Sequence, residues 1–266
     1  MRKCIIAICL FGCYNTQAQT TDSLTVKTVY PPIDKTHKSD RYPQISRPNH
    51  KIYSLILPAT AIGYGFISLG NNGLRKLNEN TKAEITETRS KPVTKIDNYL
   101  QYSPAVAVYA LNAIGIKGKN NFRDRTIIYA LSTGISTAIV IPLKSITKEQ
   151  RPDGSNFKSF PSGHTATAFA AAEFMRQEYK DASPWYGVLG YGAAAATGIL
   201  RLYNNKHWVG DVIAGAGFGV LSTKLAYWIY PAIKHKFFKN KSSQTMLMPY
   251  YQNRGGGISL VYNFRN

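Results

Sequence analysis

Apolar residues gather into six stretches, at 52–70, 99–116, 126–143, 164–175, 185–200 and 209–230, separated by polar or Gly/Pro-bearing segments. Each is long enough for a helix, and their alanine and leucine content favours helix over strand. Residues 126–143 are 18 uncharged positions, about 27 Å of helix, and form the convincing membrane span. The others are shorter or carry Pro, Gln, Asn, Glu or Lys. Between the first two stretches, residues 71–98 mix charges with Leu74, Leu77 and Ile85, a pattern of short amphipathic surface helices. The chain ends differently: residues 246–251 and 258–264 flank a glycine-rich 253–257, which reads as a β-hairpin with a glycine turn. The pattern predicts an all-α, six-helix bundle, membrane-embedded or soluble, with a short C-terminal hairpin.

The first residues have the layout of an export signal. Arg2 and Lys3 precede an apolar run from Ile5 to Gly12, and Thr16-Gln17-Ala18 offers a small-residue cleavage site. Cleavage after about Ala18 is the preferred reading; lipidation at Cys13, within Leu10-Phe11-Gly12-Cys13, and retention as an uncleaved anchor are the alternatives. Residues 19–51, with Pro31, Pro32, Pro43 and Pro48, read as a polar linker. The expected division is signal peptide 1–18, linker 19–51, helical domain 52–240 and tail 241–266.

Composition narrows the chemistry. Cys4, Cys9 and Cys13 are the three cysteines, so everything after Tyr14 lacks a disulfide, a thiolate metal site or a cysteine nucleophile. The net charge of +19 points to anionic partners. Nucleic acid is a poor candidate, because the basic residues are scattered and the chain reads as exported. The mean hydropathy of −0.22 argues against a chain that is mostly membrane-spanning.

Three clusters carry candidate chemistry. Lys144 and Arg151 lie seven residues apart, about two turns if the helix continues to Pro152, so both can face one point. In Pro161-Ser162-Gly163-His164, Ser162 can cap a helix and Gly163 lets backbone approach a ligand; such a helix start binds anions. In the third cluster Arg201 precedes His207 and Asp211, and that last pair shares a face of a helix starting near His207. Asp211 can then fix the imidazole tautomer and leave the other nitrogen as a nucleophile. Together they fit phosphoryl transfer to a histidine: Lys144, Arg151 and Arg201 bind phosphate oxygens with the backbone at Ser162 and Gly163. His207 attacks, and His164 protonates the leaving group.

These residues, Lys144-x6-Arg151-Pro152, Pro161-Ser162-Gly163-His164 and Arg201-x5-His207-x3-Asp211, resemble the three signature motifs of the type 2 phosphatidic acid phosphatase and vanadium haloperoxidase superfamily. The resemblance covers roughly residues 100–230. It implies an all-helical core, a phosphohistidine intermediate, and no metal or other cofactor. Leu200 departs from the pattern, which has serine before the arginine.

The resemblance leaves several activities open. First is a phosphatase of an envelope lipid: undecaprenyl diphosphate, lipid A, phosphatidic acid or phosphatidylglycerol phosphate. Second is a soluble periplasmic acid phosphatase. A vanadium haloperoxidase and a non-catalytic lipid-binding envelope protein rank below these. Lys148, Lys158 and Lys206 are headgroup candidates, though solvated surface charge is their commoner role. Four basic residues in 117–125 and four in 234–241 favour both segments as cytoplasmic, which puts the site on the outer, periplasmic face; crossing parity agrees if residues 52–70 do not span, or if the N-terminal segment does not insert.

Overall fold

The computed structural model describes residues 50–88, 94–237, 245–252 and 255–262. The expected signal peptide and most of the linker lie outside the described residues. Residues Pro48–Asn266 form one compact unit. Its elements are α1 (His50–Tyr53), α2 (Ile56–Ser68), α3 (Gly73–Thr88), α4 (Asp97–Leu100), α5 (Ser103–Ala113), α6 (Phe122–Thr147), α7 (Gly163–Tyr179), α8 (Pro184–Tyr203), α9 (Val209–Phe237), β1 (Thr245–Gln252) and β2 (Gly255–Tyr262). The six apolar stretches are the cores of α2 and α5 to α9.

Local signals set the helix ends. Asn121 caps α6 by accepting a 2.8 Å bond from the Asp124 amide. Ser162 caps α7 through the Thr165 amide, and Ser183 caps α8 with Pro184 as its first residue. Lys148 adopts a left-handed conformation with φ 49°, so α6 ends at Thr147. This corrects the expectation of a helix continuing to Pro152: Arg151 lies in the loop beyond the helix, and loop folding rather than helical spacing brings it towards Lys144.

Helix α7 is the hub. It packs on α5, α6, α8 and α9, and Thr165, Ala166, Ala168 and every residue from Ala170 to Met175 are buried. Ala105, Val108, Phe174 and Tyr179 fill the space between α5 and α7, while Phe160, Ala214 and Phe218 form a second cluster with Ile62, Ile139 and Leu143. At the end opposite the α7 N-terminus, Glu178 accepts from the Asn120 amide at 3.0 Å and from Tyr227 at 2.6 Å, and Lys234 pairs with Asp124 at 2.5 Å.

Small residues let α9 approach two neighbours closely. A Cβ at Gly215 would meet the Ser162 carbonyl, and one at Gly219 would meet the Ala166 carbonyl and the Ala170 amide of α7. On another face, a Cβ at Gly217 would meet the Pro58 carbonyl of α2. Such stripes of small residues are the usual means of close helix contact in membranes. With 29 residues, about 44 Å, and mean hydropathy 1.4 in its most apolar window, α9 is long enough to cross a bilayer, as is the 26-residue α6. Helix α9 thus joins residues 126–143 as a candidate span by length and composition, although Lys224, buried beside Glu173, interrupts its sequence. Helix α2, with 13 residues, reaches only about 20 Å.

Two local details also differ from expectation. Residues 73–88 form one continuous helix, α3, rather than several short ones. In the hairpin the strands pair antiparallel with Gln252 opposite Gly255 and Tyr250 opposite Gly257, so the three glycines belong to β2 rather than to the turn. A two-residue connection, the commonest hairpin loop, leaves no room for them in the turn.

The close α7–α9 contact makes a contrast testable. Gly219→Leu should destabilise the protein by at least about 1–3 kcal/mol, because the new atoms meet backbone that cannot move aside. Gly192→Ala in α8, which meets nothing within 4 Å, should stabilise it by about 0.5–1 kcal/mol. Thermal unfolding of both variants in one detergent checks the pair.

Candidate active site

The three clusters meet at the C-terminal ends of α6 and α8 and the N-terminal ends of α7 and α9. Asp211, in the first turn of α9, ties them together. Its Oδ2 accepts from the Trp208 amide at 2.9 Å and from the Ser159 hydroxyl, and lies 3.4 Å from Nδ1 of His207. Its backbone carbonyl accepts from the Ser162 amide at 3.0 Å. The carboxylate thus addresses Nδ1 of the buried imidazole and leaves Nε2 for chemistry. Burial, reinforced by the positive charges of Lys144, Arg201 and Arg151 and by His164, pushes the His207 pKa well below the ordinary histidine value. The ring is neutral at neutral pH.

The cations are placed unequally. Lys144 donates to the carbonyls of Lys158, Ser159 and Pro161 at 3.0, 3.2 and 2.6 Å, so its ammonium binds the loop that carries the second cluster as well as adding charge. Arg201 is buried and paired through Nη1 with Asp97 at 2.5 Å. Among the described residues, the Nε atoms of both Arg151 and Arg201 are buried without a hydrogen-bond partner. Buried donors without an acceptor are costly, so each of these guanidiniums calls for one. Gly163 stands against Lys144, with a Cβ there in ordinary contact with the Lys144 side chain.

His164, in the first turn of α7, lies 2.8 Å through Nε2 from the Asn98 side-chain oxygen. Burial, then Arg201, lowers its pKa to about 4, with Asp97 opposing and Arg151 and Lys144 adding. All eight residues singled out in the sequence (Lys144, Arg151, Ser162, Gly163, His164, Arg201, His207 and Asp211) lie in this one region.

Partners supplied from elsewhere complete it. Asp97 and Asn98 come from α4; a short polar segment with no periodicity gave no sign of them. Ser159 reaches Asp211 from the connecting loop. From α3, Asn78 accepts the Gly210 amide at 3.1 Å, and Arg75 pairs with Glu149 while its guanidinium lies 4.9 Å from the Trp208 ring centre. Of the headgroup candidates, Lys206 instead pairs with Asp153 at 2.6 Å, closing the loop between the first and third clusters. Among the described residues no group of three or more His, Cys, Asp or Glu is gathered to hold a metal ion.

Residues 125–234 match the model of the PAP2 superfamily, a range that contains all eight site residues. Over 137 residues the chain is 43% identical to the lipid A 1-phosphatase of Porphyromonas gingivalis, a match covering 51% of this chain. The match spans 31% of that relative's length. The fold is that of the transmembrane PAP2-type phosphatidylglycerolphosphate phosphatase of Bacillus subtilis, with a TM-score of 0.50 and 23% identity over 67% of this chain and 98% of the other. The Aquifex aeolicus LpxE structure aligns with a TM-score of 0.46 and 22% identity, over 57% of this chain and 95% of that one.

The depressed histidines make a pH dependence. In the folded state His164 titrates near 4 and His207 well below 6.5, against about 6.5 unfolded, so the unfolded chain binds more protons below pH 6.5. The histidines' contribution to stability is therefore complete above pH 6.5 and falls as pH drops towards 4. A dianion among the cations reverses the charge effect on His164, so sulfate, which keeps its double charge across this range, should bind with proton uptake and more tightly at pH 5.5 than at 7.5. Calorimetry in buffers of different ionisation enthalpy measures that uptake, and a binding enthalpy independent of buffer would contradict it.

Proposed function

We propose that the protein is a metal-independent phosphatase of an envelope lipid, acting through a phosphohistidine on His207. The observation that carries this reading is the pair of orphan guanidinium Nε donors, from Arg151 and Arg201, buried beside a neutral imidazole whose Nδ1 faces Asp211. In this mechanism the substrate phosphate sits among Lys144, Arg151, Arg201 and the start of α7 at Ser162 and Gly163. Nε2 of His207 attacks phosphorus in line while the bond to the leaving oxygen breaks. His164 gives that oxygen a proton, having left Asn98. Asp211 holds Nδ1–H and stabilises the charged ring. A water then attacks the phosphohistidine, its proton passing to His164, and phosphate leaves with both histidines restored.

A lipid substrate is supported by the lipid A 1-phosphatase relative and by the molecule's outer surface. Large apolar side chains stand exposed on α5, α6 and α8, among them Val106, Ile114, Ile141, Ile146, Trp185, Val188, Leu189 and Ile199. So much apolar surface on several helices suits a bilayer better than water. Helices α6 and α9 cross the membrane in this reading, and α2 is too short to do so. The basic residues Lys117, Lys119, Arg123, Arg125, Lys234 and Lys236 gather where α6 begins and α9 ends, opposite the site. The positive-inside rule then sets that end in the cytoplasm and the site on the exported face. Lipid A, undecaprenyl diphosphate, phosphatidic acid and phosphatidylglycerol phosphate remain the substrate candidates, the first favoured by the 43% identity. A soluble acid phosphatase is the second reading, favoured by the mean hydropathy of −0.22.

Phosphate release from these lipids and from p-nitrophenyl phosphate, with EDTA present, tests the reading. Release should be selective for a lipid and resist EDTA, and His207→Ala should lower it by at least about 1,000-fold. Release from the small ester alone would favour the soluble enzyme, and turnover surviving in His207→Ala would refute the phosphohistidine. In the same assay Asn98→Ala should lower kcat more than KM, because His164 loses the oxygen that orients its ring.

A further inference from the structure

A second feature of the bundle takes no part in phosphate chemistry. A cavity of about 700 Å³ lies between α2, α7, α8 and α9. Its walls are mostly apolar, with Pro58, Ala61, Ile213 and Val220 among them, and Tyr53 and Leu57, both well exposed, are at its edge. Three charged side chains also line it: Glu173, Arg176 and Lys224. Glu173 is nine residues along α7 from His164, about 13 Å down the helix, so the cluster is separate from the phosphate site.

The charges in this cluster do not balance. The Glu173 carboxylate is fully buried and accepts from Arg176 Nε and Nη2, both at 2.7 Å, from Gln177 at 2.8 Å and from the Tyr191 hydroxyl at 2.6 Å. Those four bonds fill its acceptor positions. Lys224 stands at 3.2 Å from the same carboxylate, farther than any of the four donors. One carboxylate against two cations leaves an excess positive charge on the wall of an apolar cavity. Such a charge is expensive without a counter-ion, and in a membrane helix it marks a binding function.

We propose that this cavity binds an anionic membrane lipid, its headgroup phosphate on Lys224 and Arg176 and a hydrocarbon tail along α2 and α9. An amphiphile fits both parts of the cavity: apolar walls for the tail, one uncompensated cation for a singly charged head. The bilayer supplies it, because α9 is long and apolar enough to span and the cavity edge carries exposed apolar side chains. Bound there, the lipid bridges α2 to α7 and α9.

Thermal unfolding of the full chain in detergent, with phosphatidylglycerol or phosphatidylcholine added, tests this. The His207→Ala background removes turnover, and phosphatidylglycerol is a diester rather than a phosphomonoester, so the result does not depend on the phosphatase reading. Phosphatidylglycerol should raise Tm by about 3 °C or more beyond phosphatidylcholine. Lys224→Met should abolish that difference, and Ala216→Phe, which narrows the cavity and leaves the charges in place, should abolish stabilisation by both lipids. Equal shifts from the two lipids, or a preference that survives Lys224→Met, would overturn the proposal. If Lys224→Met does not fold, Ala216→Phe decides alone: undiminished stabilisation by phosphatidylglycerol overturns it.

Discussion

The site depends on how Asp211 is held. One residue accepts from the Ser162 amide through its carbonyl, and from the Trp208 amide and the Ser159 hydroxyl through its carboxylate, while the same carboxylate faces Nδ1 of His207. It therefore fixes the start of α7, the start of α9 and the nucleophile candidate relative to one another. Since the residue is almost completely buried, each of these bonds is made with little competition from water.

That arrangement needs α7 and α9 to run very close together, which explains the otherwise unexpected glycines. Gly215 and Gly219 allow the α9 backbone to lie against Ser162, Ala166 and Ala170. With larger residues the Ser162 amide would be carried away from the Asp211 carbonyl and the cap of α7 would lose its register with His207. Packing and chemistry are the same constraint here. The second layer acts from outside: α3 holds the Gly210 amide through Asn78 and braces Trp208 with Arg75, and so presses the His207 loop onto the bundle.

Much of this was legible in the sequence, and the limits have physical causes. The spacing of His207 and Asp211, the Ser162 cap and the six apolar stretches are local patterns, set by helical period and capping chemistry. Asp97, Asn98, Asn78 and Ser159 were not legible. Each is a single polar residue whose meaning comes from a partner distant in sequence, so no period or motif marks it. The end of α6 was misplaced because Pro152 is a conspicuous breaker, whereas a left-handed Lys148 leaves no trace in composition. The candidate span in α9 was harder to read for a related reason: Lys224 counts against it in sequence, and its place beside Glu173 of α7 is visible only in the bundle.

The charges of the site decide what it is suited to hold. Lys144, Arg151 and Arg201 bring three positive charges, and Asp97 and Asp211 return two negative ones, while His207 is neutral because burial and those cations resist a further charge. Among the described residues the site thus carries excess positive charge and two guanidinium Nε donors with no protein acceptor. A neutral ligand would leave those donors unpaired, and a cation would be repelled. In the proposed mechanism a tetrahedral oxyanion would satisfy the donors, reduce the charge excess and, by doing so, let His164 take up a proton that the cations otherwise resist. On that proposal, binding the anion and arming His164 as the acid are one electrostatic event, which is how a fixed cluster of cations would favour the proton transfer on which release of the leaving group depends.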